Sequence, residues 1–93
     1  MPYDPSGSFV EPTNDDLSDF ARVALEAFGR KTKQITDAQP FAADDEEFFY
    51  EVASDLICDL AHLARRYGHD MDTVIANGLG NFAYEVEEEE GQQ

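Results

Sequence analysis

Glu47, Glu51, Asp55 and Asp59 recur every four residues, and no lysine or arginine falls between them. On a helix, carboxylates at that spacing share a face and rise about 6 Å per step, an interval comparable to the phosphate spacing along a nucleic-acid strand. Like charges four residues apart weaken a helix by about 0.2–0.5 kcal/mol per pair, so stability alone does not select this row. A surface that meets cations does. The chemistry expected of it is capture of a basic protein surface, with Glu87, Glu88, Glu89 and Glu90 as auxiliary charge. The other reading is a solvated acidic face that keeps the chain soluble, or the acidity of a salt-adapted proteome.

Two further chemistries are weighed on the same segment. Asp55, Asp59 and His62 stand at i, i+4 and i+7, the spacing of a helical metal site, but such sites draw ligands from several helices and only Glu85 offers itself elsewhere. No metal or cofactor is assigned. Cys58 has no neighbouring cation to activate it as a nucleophile, and the chain has no glycine-rich phosphate loop. No catalytic residue is assigned either.

The elements that must position these residues are helical. Asn14 and the acids Asp15, Asp16 and Asp19 mark the start of a first helix, with Leu17, Phe20, Ala21, Ala24, Leu25 and Phe28 as its apolar stripe. Gly29 either ends it or is tolerated inside it. Residues 36–43 read as a connection around Pro40. A second helix is expected from about Asp44 to Tyr67, closed by Gly68, with Phe49, Val52, Leu56, Leu60 and Leu63 inward and the acid row outward. Asp70 caps a third, whose inward stripe is Met71, Val74, Ile75, Leu79, Phe82 and Val86, and whose glycines at 78 and 80 admit a break near Asn77. The fold class is therefore all-α: a small antiparallel bundle of about three helices over residues 14–86. A flexible arm, residues 1–13, precedes it, and an acidic tail, residues 87–93, is expected to fray by self-repulsion.

Composition narrows the partners. The chain has 93 residues, 21 Asp plus Glu against six Lys plus Arg, and a net charge of −15, which opposes direct binding to nucleic acid or to an anionic membrane. Hydrophobic content of 42% with seven Phe and four Tyr still predicts a folded core. One cysteine and no apolar run of membrane-spanning length suggest the cytoplasm. The apolar flanks of the second helix are wide enough that a homodimer is a further expectation.

The segments 20–28, 55–64 and 68–72 resemble a recurrent type of small acidic helical protein encoded by bacterial phages and plasmids. That resemblance implies a mobile-element origin and a role of the anti-CRISPR or anti-restriction kind. Its target would be a basic nucleic-acid-binding surface on a host nuclease or CRISPR effector. The third segment, with Gly78 and Gly80, departs from the more helix-favouring pattern of that type. Residues 63–70 also resemble the turn of the all-α nucleoside triphosphate pyrophosphohydrolases, which implies magnesium chemistry on clustered carboxylates; the second cluster and the phosphate-binding lysines of that family have no counterpart here.

Overall fold

The computed structural model describes residues 11–91, and among them the chain is three helices without a strand: α1 (Asn14–Thr32), α2 (Glu46–Arg66) and α3 (Met71–Gly91). Most of the proposed arm, residues 1–10, lies outside the described part.

Each boundary follows from local chemistry. The cap of α1 falls one residue earlier than expected, on Thr13, whose Oγ1 accepts from the Asp16 N–H at 3.2 Å while Asp16 Oδ2 accepts from the Thr13 N–H at 2.9 Å. This reciprocal box satisfies two of the free donors at the helix start. Asn14 is thereby released for another task. At the other end Lys33 takes a left-handed conformation (φ 68°), and the Ile35 N–H donates to the Gly29 carbonyl at 3.0 Å. The chain turns back over the last turn of α1 and lays Ile35 across Gly29, which stays inside the helix.

Asp45 caps α2 through Oδ1, which accepts from the Phe48 N–H at 3.0 Å. Gly68, at φ 75°, makes the left-handed turn that follows α2. Asp70 then starts α3, accepting from the Asp72 N–H at 3.2 Å and the Thr73 hydroxyl at 2.7 Å. The connection between α1 and α2 is pinned by aromatic contacts. Phe41 meets Phe48 edge to face, ring centroids 5.9 Å apart, and Arg22 of α1 lies 5.2 Å from the Phe41 centroid.

The bundle is open. Its radius of gyration is 15.9 Å, against about 12 Å for a compact domain of this length. Among the described residues three apolar side chains are buried, Leu25, Ile35 and Val52. The inward stripes expected on α2 and α3 exist as stripes, but Leu60, Leu63, Tyr67, Val74, Leu79 and Phe82 are exposed in the single chain. The expected break near Asn77 is absent: α3 is continuous through both glycines.

Candidate functional site

α2 carries Glu47, Glu51, Asp55 and Asp59, and all four are exposed. Asp55 Oδ2 accepts a hydrogen bond from Gln34 Nε2 at 2.8 Å, a neutral partner that leaves the charge in place. One ion pair forms among the described residues, Arg30 to Glu26 at 3.5 Å on α1, and it does not involve the row. The four carboxylates therefore carry their charge without a cation beside them.

Their geometry is a shallow spiral rather than a straight ladder. Four residues of α-helix advance the direction by about 40° beyond a full turn, so Glu47 and Asp59 point about 120° apart over a rise of about 18 Å. The expectation that all four share one face is corrected accordingly: neighbours share a face, the ends of the row do not. Glu47 and Glu51 line an open depression of about 430 Å³ with Gln34, Pro40, Phe48 and Val52. Asp59 lies nearer the edge of the apolar side.

The second acidic group behaves differently from the expectation. Residues 87–90 do not fray but continue α3 to Gly91. Four glutamates at a helix C-terminus oppose the dipole of their own helix. What offsets this is the start of α1. Asn14 Nδ2 donates to the Glu85 carbonyl at 3.3 Å and to the Glu89 carboxylate, which sets these acids beside the positive end of the α1 dipole. Glu85, Glu88 and Glu89 share an open depression of about 570 Å³ with Glu11, Asn14 and Asp15. Asn14→Ala should therefore loosen the last turns of α3 without unfolding α2. Hydrogen exchange would show it as faster exchange over residues 85–91 with unchanged protection over residues 50–64, and equal protection of both segments would remove the tether.

Among the described residues no three His, Cys, Asp or Glu side chains converge to hold a metal ion. His62 and Cys58 are exposed on α2. Phe48 packs on Phe41, whereas Tyr50 is exposed. Among the described residues no helix is long and apolar enough to cross a membrane. Sequence reasoning missed Ile35, which fixes the connection between α1 and α2, and read Asn14 as a helix start rather than as the residue that holds the second acidic group. No family model, curated protein or solved structure matches the chain.

Proposed function

We propose that this chain is a non-catalytic acidic binding protein that occupies a basic nucleic-acid-binding surface on another protein. The targets that fit are a nuclease or a CRISPR effector in the cytoplasm of a host bacterium, and the mode is mimicry of the anti-CRISPR or anti-restriction kind, in keeping with a mobile-element origin. The observation that carries this reading is the row on α2, helical, exposed and without a cationic neighbour. Preformed anions on a rigid helix need no rearrangement to meet Lys and Arg side chains, and a net charge of −15 accelerates encounter with a positive groove. The spiral of the row matches a partner that curves around α2, as the nucleic-acid-binding groove of a protein does, better than a flat patch. Glu87, Glu88, Glu89 and Glu90 add charge on a second helix.

Displacement of a fluorescent oligonucleotide from basic nucleases, guide-RNA effectors among them, is the measurement that tests this. A true mimic competes with the oligonucleotide for one site and loses affinity as salt rises from about 50 to about 200 mM, because the charge pairs that hold it are screened. Inhibition that leaves the oligonucleotide bound, or competition indifferent to salt, would reject mimicry.

A further inference from the structure

Residues 73–84 of α3 include no charged side chain, in a chain where 29% of residues are charged. Every one of those twelve residues is exposed in the single chain. Its apolar members Val74, Ile75, Leu79, Phe82 and Tyr84 make a face of the kind a helix ordinarily buries. Beside it, the second half of α2 exposes Leu60, Leu63 and Tyr67. Across the described part thirteen large apolar side chains stand exposed while three are buried. With Leu17, Phe28, Phe41, Phe48, Leu56 and Val86 only half-buried around those three, the core of the described part is small for the entropy of ordering three helices.

We infer that a second copy of this chain covers the apolar face of α2 and α3, with residues 73–84 at the centre of the contact. Three properties select that occupant. The face has no charge to recognise a cationic protein, which is drawn to the α2 carboxylates instead. Residues 1–10 bring four large apolar side chains, Met1, Tyr3, Phe9 and Val10, against the thirteen exposed in the described part. A cover needed for folding must be present wherever the chain is made, and an identical chain always is. Gly78 and Gly80 have open space where a side chain would stand, so a helix of the second copy can approach the α3 backbone closely. Glu47, Glu51 and Asp55 lie on the other side of α2 and remain free, so this inference stands or falls separately from the proposed function.

Sedimentation equilibrium and thermal unfolding of the full chain test it. The expected mass is twice 10.4 kDa at micromolar concentration, with a Tm that rises by several degrees over a hundredfold increase in protein concentration. Leu79→Lys separates a covered face from a wet one, since lysine is a good helix former and harmless at a position 63% exposed to water. Loss of the dimer by Leu79→Lys, whether to a folded monomer or to an unfolded chain, supports the inference. A wild-type mass of 10.4 kDa with a Tm independent of concentration overturns it. So does a dimer that keeps its mass and Tm after Leu79→Lys, or a monomer that binds an apolar dye only after deletion of residues 1–10.

Discussion

Ile35→Ala is expected to remove about 2–5 kcal/mol of stability, a large share of the total for a chain of this size. Truncating a buried isoleucine costs about 2–5 kcal/mol, and a small domain has a total stability of about 5–15 kcal/mol, this one standing at the low end because its core is so small. Ile35 is 2% exposed and is one of three buried apolar side chains. It also joins the end of α1 to the connection that leads into α2, through its N–H to the Gly29 carbonyl and its side chain over the Gly29 backbone. Urea unfolding followed by far-ultraviolet circular dichroism, at one fixed protein concentration, measures the loss.

The same seat yields a companion result with an informative sign. A methyl group on Gly29 would stand 2.7 Å from Ile35 Cγ1, so Gly29→Ala must push a buried side chain aside. Alanine gains about 1 kcal/mol of helix propensity over glycine, whereas overpacking costs about 1–3 kcal/mol, and the net effect is destabilising. Ile35→Val in the Gly29→Ala background should recover part of it. Stabilisation by Gly29→Ala alone would show that Ile35 does not sit there.

The second large effect concerns binding. The combined variant Glu47→Gln, Glu51→Gln, Asp55→Asn and Asp59→Asn should slow association with a basic nucleic-acid-binding protein by about 10- to 10³-fold at low salt and flatten its salt dependence. Removing like charges at i, i+4 should at the same time raise the stability of α2 by a few tenths, about 0.2–0.5 kcal/mol per pair. The two readouts move in opposite directions, so weakened binding cannot be attributed to a weakened fold. Splitting the variant is informative because the row spirals. A partner that follows the helix loses affinity with either the Glu47 and Glu51 pair or the Asp55 and Asp59 pair; a flat partner responds to one pair only. Unchanged association in the combined variant would leave the α2 row as a solvated face and nothing more.

What was legible in the sequence was whatever local chemistry determines. Three helices, the Gly68 turn and the Asp70 cap depend on residues a few positions apart, and the structure has all of them. Ile35 escaped because a single β-branched residue between Gln34 and Thr36 carries no periodicity; its burial depends on Lys33 turning the chain. Thr13 was read as part of the arm although Asp16, three residues on, completes its capping box. The persistence of α3 through its glutamates depends on Asn14, 75 residues from Glu89 along the chain, a contact that no local pattern announces. The apolar stripes of α2 and α3 were legible as stripes. The exposure of Leu60, Leu63, Leu79 and Phe82 was not, because it depends on how far the three helices close on one another.

The contact between Asn14 and the end of α3 also sets an order of opening. The α2–α3 corner and the fold of Ile35 onto Gly29 join near neighbours in sequence, whereas Asn14 meets Glu85 and Glu89 across 71 and 75 residues. Closing so long a segment costs more chain entropy than the short closures do. The clasp is therefore expected to open before α2 unfolds, and limited proteolysis would show this as early cuts at the seam between the head of α1 and the foot of α3.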